Sequence, residues 1–256
     1  MSDWTGRTVF VTGATSGFGA ATARRFAAAG ANLVLLARRK ERLEESAKTL
    51  GTPVHVVARD IRDHEGVNAA IADLPGTFRN VDVLVNNAGL ALGLGPAQEA
   101  DWDDWEAMIE TNVKGLVRLT RAILPGMVAR KRGHVINLGS VAASYPYPGG
   151  NVYAGSKAFV RQFSLALRAD LLGTRVRVSV LEPGMCETEF SMVRFKGDAE
   201  KAAKVYENMT PLAPDDIAES IFWVSSLPAH VNINAMEMMP VQQAFSPFSV
   251  SRDGKS

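Results

Sequence analysis

Thr12-Gly13-Ala14-Thr15-Ser16-Gly17-Phe18-Gly19 is the stretch on which the fold turns. It follows directly on the apolar run Thr8–Thr12 and opens the alanine-rich helical pattern Ala20–Ala29. Strand, glycine turn and helix in that order leave unpaired backbone amides at a helix N-terminus, where the helix dipole favours an anion. Gly13, Gly17 and Gly19 allow a tight turn and a close approach of the backbone to a pyrophosphate, with Thr15, Ser16 and Phe18 between them. A purely structural turn uses glycines too. The strand before and the helix after favour the dinucleotide reading.

The alternation continues outward from this turn. Asn32–Ala37, Val54–Ala58, Val81–Val85, His134–Leu138 and Arg175–Leu181 are short runs rich in Val, Ile and Leu, as expected of parallel strands covered on both faces. Between them Lys40–Leu50, His64–Leu74, Trp105–Arg130 and Ser156–Leu172 have helical spacing. The pattern predicts an α/β fold, a single doubly wound Rossmann-type parallel sheet flanked by helices. With no repeat and no linker-like stretch, residues 1–256 read as one domain. Around Phe190–Pro214 the alternation breaks and the composition turns polar, so about 190–214 is expected to be a loop with a short helix, long enough for a substrate lid. From Asn232 through Met236–Met239 a final strand and a packed tail are expected.

Composition excludes several classes. The 256 residues carry 28 Lys+Arg against 27 Asp+Glu, a net charge of +1, which lacks the basic excess of a general nucleic-acid binder. A single cysteine, Cys186, rules out an intrachain disulfide and any multi-cysteine metal site, and fits a reducing compartment. His55, His64, His134 and His230 have no ligand spacing and read as surface or strand-edge residues, so no metal is expected. No apolar run approaches the ~18–20 residues needed to span a bilayer. Met1-Ser2-Asp3-Trp4 lacks the basic and apolar regions of a signal peptide, and a cytoplasmic protein is expected.

After the second strand come Arg38 and Arg39, where an NAD site usually has an acid about 20 residues beyond the glycines. Paired guanidinium groups suit a ribose 2′-phosphate and so favour NADP(H); otherwise they begin a solvated helix with Lys40 and Glu41. Asp60, with Ile61 beside it, follows the third strand and either accepts from an adenine amino group or caps its own turn. Asn86-Asn87-Ala88-Gly89, after the fourth strand, suits either a ligand crevice or a self-satisfied turn.

Farther along, Asn112 falls on the apolar stripe of Met108, Leu116, Leu119 and Ile123. A buried amide must find partners, in a structural role or by holding a water or a backbone carbonyl near a site. Gly139-Ser140 puts a hydroxyl at the carboxyl edge of the fifth strand. Tyr153 and Lys157 are four apart on a helix and project from one face. Lowering a phenol from ~10 to ~7 takes about 4 kcal/mol. A unit charge at ~4 Å offers about that at an effective dielectric of ~20. Such a tyrosine can exchange a proton with a carbonyl or alcohol near neutral pH. Taken alone, Tyr-x-x-x-Lys is a common chance pattern.

The ordered set of the glycine turn, Asn86–Gly89, Asn112, Ser140, Tyr153 and Lys157 resembles the short-chain dehydrogenase/reductase family over nearly the whole chain. The resemblance implies a catalytic tetrad in which Ser140 orients the carbonyl, Tyr153 is the acid/base, Lys157 lowers its pKa and holds the ribose, and Asn112 anchors a relay water. It also implies cofactor contacts from Asn87, from Pro183-Gly184 and from Thr188 at the nicotinamide carboxamide. Four runs, Gly149–Tyr153, Lys157–Ser164, Glu182–Phe190 and Leu227–Asn234, are similar to the bacterial NADP-dependent 3-hydroxy acid dehydrogenases. Those oxidise serine, L-allo-threonine, 3-hydroxypropionate and like β-hydroxy acids; the related sulfoacetaldehyde reductases handle a sulfonate instead. Ser140 and Tyr153 would contact such a substrate.

A small anionic substrate calls for a cation. Arg194 in the expected lid is the candidate, with a solvated loop arginine as the alternative. Arg161 either binds substrate or serves helix packing or subunit contact. The resemblance further implies a homotetramer. A non-catalytic NADP(H)-binding sensor is the competing class of function, and it would have no need of Tyr153 beside Lys157.

Overall fold

The computed structural model describes residues 3–245. Seven parallel strands form one sheet in the order β3-β2-β1-β4-β5-β6-β7. They are β1 (Thr8–Thr12), β2 (Asn32–Ala37), β3 (Val54–Ala58), β4 (Val81–Asn86), β5 (Gly133–Leu138), β6 (Val176–Pro183) and β7 (Ala235–Met238). The chain runs outward from β1 to β3 and returns beside β1 with β4. This reversal opens a crevice between the carboxyl ends of β1 and β4, where ligands of open α/β sheets bind.

Every residue of β1, β2, β4 and β5 is buried, which explains their lack of polar alternation. Alternate residues feed two cores. Val9, Val11, Leu33, Leu35, Val83 and Val85 pack with Phe26 of α1 (Gly17–Ala27) and Ile217, Ile221 and Phe222 of α10 (Pro214–Ser226). Phe10, Val34, Leu36, Leu84 and Val135 pack on the other face with Leu119 and Ile123 of α6 (Leu116–Ala129) and Leu167 of α7 (Asn151–Asp170). The second face also takes α3 (His64–Ala72) and the short α4 (Gly76–Arg79), while Leu43 of α2 (Lys40–Thr49) joins the first.

Three elements differ from expectation. The helix expected over Trp105–Arg130 is α5 (Trp102–Ile109), a π-helical stretch Glu110–Gly115, and α6. The lid region holds two short helices, α8 (Glu189–Arg194) and α9 (Ala199–Lys204), instead of one. Helix α10 has no counterpart among the sequence expectations, although Pro214 at its first position and Asp216 accepting from the Ala213 amide (2.8 Å) are start signals. His134 also departs from the surface reading. It lies buried in β5 with Nε2 2.8 Å from Ser179 Oγ, and burial pushes its pKa well down, so it is a neutral core residue.

Candidate active site

The glycine turn is fastened to the end of β4. Gly13 and Gly17 have φ of +65° and +49°, the left-handed region that glycine enters without strain. Thr12 Oγ1 accepts from the amides of Asn87 (3.0 Å) and Ala88 (2.8 Å), and Asn87 Nδ2 donates to the carbonyls of Thr12 (2.8 Å) and Gly13 (3.3 Å). Asn87 is thus turn chemistry and cleft wall at once. A Cβ on Gly19 would stand 2.6 Å from Asn87 Nδ2 and clash with the Gly13 carbonyl. Gly19 does not line the cleft; it lets helix and turn close together.

One cleft of about 390 Å³ gathers the other cofactor candidates. Gly13, Thr15, Ser16, Gly17, Phe18, Arg38, Arg39, Asp60, Ile61 and Asn87 line one end, and Pro183, Gly184 and Thr188 the other. Arg39 donates to Thr15 Oγ1 through Nε (3.3 Å) and Nη2 (3.0 Å) and to Glu189 Oε2 (3.2 Å). Asp60 follows the turn-capping alternative: it accepts from the Arg62 amide (2.9 Å) and pairs with that guanidinium at 2.7–3.1 Å. The Arg62 hydrogen bonds hold its carboxyl below the ordinary range. Thr188 caps α8, accepting from the Phe190 amide (3.1 Å), and its Cβ and methyl lie over Gly17.

At the chemical end, Ser140, Tyr153, Lys157 and Arg194 line the same cleft. Ser140 is the N-cap of the 3₁₀ turn Val141–Ala143; its Oγ accepts from the Ala142 amide (3.1 Å), which leaves the hydroxyl proton available to donate. Lys157 is buried and donates to the Leu138 carbonyl (2.8 Å). Asn112, behind the cleft wall in the π-helical stretch, clamps the backbone of Leu90: Oδ1 accepts from its amide (2.9 Å) and Nδ2 donates to its carbonyl (2.8 Å) and to Ser156 Oγ (3.0 Å). Single-turn π segments recur at functional sites.

In the cofactor-free protein the Tyr153 phenol stands far above neutrality. Burial pushes Tyr153 up to about 12, opposed by Arg194 first and Ser140 second, while burial lowers Lys157 to about 8. Lys157 Nζ donates to the Leu138 carbonyl and lies 5.9 Å from the Tyr153 ring centre, near enough for its charge to act on the phenol.

Arg194, at the end of α8, is drawn over the reacting groups. Its guanidinium carbon lies 5.0 Å from the Tyr153 ring centre and 5.2 Å from that of Phe190, and Nη2 donates to Tyr147 Oη (2.7 Å). Its Nε is buried with no hydrogen-bond partner. Arg161 stands apart from the cleft lining, 3.4 Å from the buried Glu182 and hydrogen-bonded to Ser144, which is the packing alternative. Cys186 lines the cleft, with burial pushing its thiol up to about 12. Sequence reasoning missed Tyr147 and Glu189. Tyr147 had a signal, an aromatic between two prolines just after Ser140; Glu189 had none, because its partners are 147 and 150 residues away.

An anion cradle at one end of a cleft and proton-moving groups at the other define a dinucleotide-dependent oxidoreductase. The chain belongs to the short-chain dehydrogenase family, whose model, described as short chain dehydrogenase, matches residues 7–199. It is 58% identical over 245 residues to the NADP-dependent 3-hydroxy acid dehydrogenase YdfG of Salmonella typhi, covering 95% of this chain and 99% of that one. To the serine 3-dehydrogenase of Agrobacterium fabrum it is 53% identical over 246 residues, covering 96% and 98%. Among solved structures it resembles the closed form of serine dehydrogenase complexed with NADP+, with a TM-score of 0.92, 55% identity, and 96% and 100% of the two chains covered.

Proposed function

We propose that this chain is an NADP-dependent 3-hydroxy acid dehydrogenase that oxidises small β-hydroxy acids of the serine, L-allo-threonine and 3-hydroxypropionate type and reduces their semialdehydes. Support comes from relatives so named that are similar over almost their whole length. The observation that carries the substrate class is Arg194. Its buried Nε–H meets no protein acceptor beside Tyr153 and so remains available to an acceptor on the substrate. A carboxylate two carbons from the reacting carbinol carbon would satisfy it with a charge-assisted bond.

In this reading Gly13, Thr15, Ser16, Gly17 and Phe18 hold the pyrophosphate, Arg38 and Arg39 the 2′-phosphate, and Asp60 and Ile61 flank the adenine. Asn87, Pro183, Gly184 and Thr188 serve the nicotinamide side, and Lys157 holds the ribose. NADP, when bound, supplies the hydride acceptor or donor. Ser140 donates its hydroxyl proton to the substrate oxygen, and Tyr153 takes a proton from the alcohol or returns one to the carbonyl. With Tyr153 high in the free protein, the positive charge of the oxidised nicotinamide adds to that of Lys157 and Arg194 in favouring the phenolate. Asn112 anchors the relay water; both its amide hydrogens are committed, so what it has left for that water are oxygen acceptors. A pure sensor would not need these proton-moving groups.

The same proposal takes the chain as one cytoplasmic domain with α8 and α9 as lid, assembled as a homotetramer. Among the described residues no helix is long and apolar enough to cross a membrane. Trp102 and Ile109 of α5 and Phe159 of α7 are exposed, which supports burial against other copies. Arg194→Met tests the substrate assignment. KM for the hydroxy acids should rise about 10- to 100-fold, the worth of one hydrogen bond to a charged group. KM for an uncharged alcohol of the same size should be unaffected, and any loss of its turnover should reflect only the guanidinium charge removed from beside Tyr153. An equal rise in KM for both would refute the anion role.

A further inference from the structure

We infer that Glu189, the first residue of α8, occupies Arg39 in place of the cofactor 2′-phosphate in the cofactor-free protein, and so determines how strongly NADP is preferred. Glu189 Oε2 accepts from Arg39 Nη2 (3.2 Å) and Oε1 from Arg42 Nη1 (3.0 Å). Arg39 also reaches Thr15 Oγ1 in the glycine turn, which puts this carboxylate at the edge of the cradle itself. Arg38 is held only loosely, 4.0 Å from an Asp60 already paired with Arg62. Of the two arginines after β2, one is nearly free and the other is taken by the lid.

Burial opposes the charge of Glu189, but Arg42 and Arg39 outweigh it and hold the carboxyl below its ordinary value. The side chains of Arg39, Arg42 and Glu189 are 42%, 51% and 49% exposed, and ion pairs this wet are worth little. A phosphate brings more negative charge and more acceptor oxygens, so it takes Arg39 and leaves Glu189 to Arg42. From then on Glu189 is a like charge beside the phosphate. Its carboxylate therefore subtracts from NADP affinity and does nothing to NAD, whose 2′-hydroxyl makes no claim on Arg39. Because the same helix carries Phe190 against Tyr153 (5.6 Å between ring centres) and Arg194 over it, exchange at Glu189 reaches the substrate end within six residues.

The inference rests on the 2′-phosphate reading of Arg38 and Arg39, and the test separates the two. Dissociation constants of NADPH and NADH are measured by fluorescence for the full chain, Glu189→Gln and Arg38→Ala at one fixed ionic strength. Glu189→Gln should bind NADPH about two- to fivefold more tightly, the worth of one exposed ion pair, with NADH unchanged. Unchanged or weaker NADPH binding, or an equal shift for both cofactors, overturns the exchange. Arg38→Ala should weaken NADPH alone; an equal loss for NADH overturns the phosphate reading and the exchange with it. A selective loss in Arg38→Ala with no change in Glu189→Gln sinks the exchange only.

Discussion

Tyr153 and Lys157 share one face of α7, yet the burial that unites them opposes both charges. Their i,i+4 spacing was legible in the sequence. The Leu138 carbonyl that captures the ammonium was not, because it comes from β5, 19 residues earlier. Burial of the phenol itself, with Arg194 and Ser140 opposing it, keeps it near 12 until further positive charge arrives. Burial also makes a stability statement. Lys157 titrates at about 8 in the folded chain against 10.5 for the free side chain, so below pH 8 folding takes a charged amine out of water. Between pH 8 and 10.5 the unfolded chain binds a proton that the folded one lacks, and stability rises with pH. The net penalty at pH 7 is on the order of 3 kcal/mol. Lys157→Met should thus be inactive but more stable than the parent at pH 7 in urea unfolding, by an amount on the order of 3 kcal/mol. That gain should vanish toward pH 10.5. A variant less stable at pH 7, or a difference independent of pH, would show that burial does not strain this lysine.

At the scale of elements, the glycine turn carried its own diagnosis, since strand, turn and helix occur in sequence order. The long helix did not. Its apolar spacing runs from Trp105 to Ile123 without a break, yet the middle winds as a π-helix and brings Asn112 onto the backbone of Leu90. Hydrophobic periodicity reports which face is buried and is blind to one extra residue in a widened, underwound turn. Helix α10 was missed for a related reason, since a polar segment precedes it; what fixes it is its docking on α1, where Arg25 pairs with Glu219 and lies 3.4 Å over the Phe222 ring. The turn itself is the most demanding element. Gly19→Ala should cost about 1–3 kcal/mol in stability and weaken both NADPH and NADH, because its methyl must push the Gly13 carbonyl or Asn87 aside. Calorimetry with a cofactor titration checks this, and unaltered binding would mean that the cradle tolerates the shift.

For the molecule as a whole, strand alternation predicted the doubly wound sheet, and the reversal between β1 and β4 then fixes where the cleft opens. Residues from 13 to 206 converge there through crossovers that return each strand's carboxyl end to the same edge. What alternation could not foresee is how α8 bridges the cleft, with Glu189 on Arg39 at one end and Arg194 over Tyr153 at the other. On the function proposed above, one short helix thereby reads both the phosphate and the substrate anion. The central claim, NADP-linked oxidation of small β-hydroxy acids, is tested most directly by initial rates of cofactor reduction with serine, L-allo-threonine and 3-hydroxypropionate, NADP and NAD side by side, and of NADPH oxidation with sulfoacetaldehyde. The account predicts substantial rates with NADP and the hydroxy acids, and far lower rates with NAD. No turnover of any hydroxy acid with NADP, or equal rates with NAD, would contradict it.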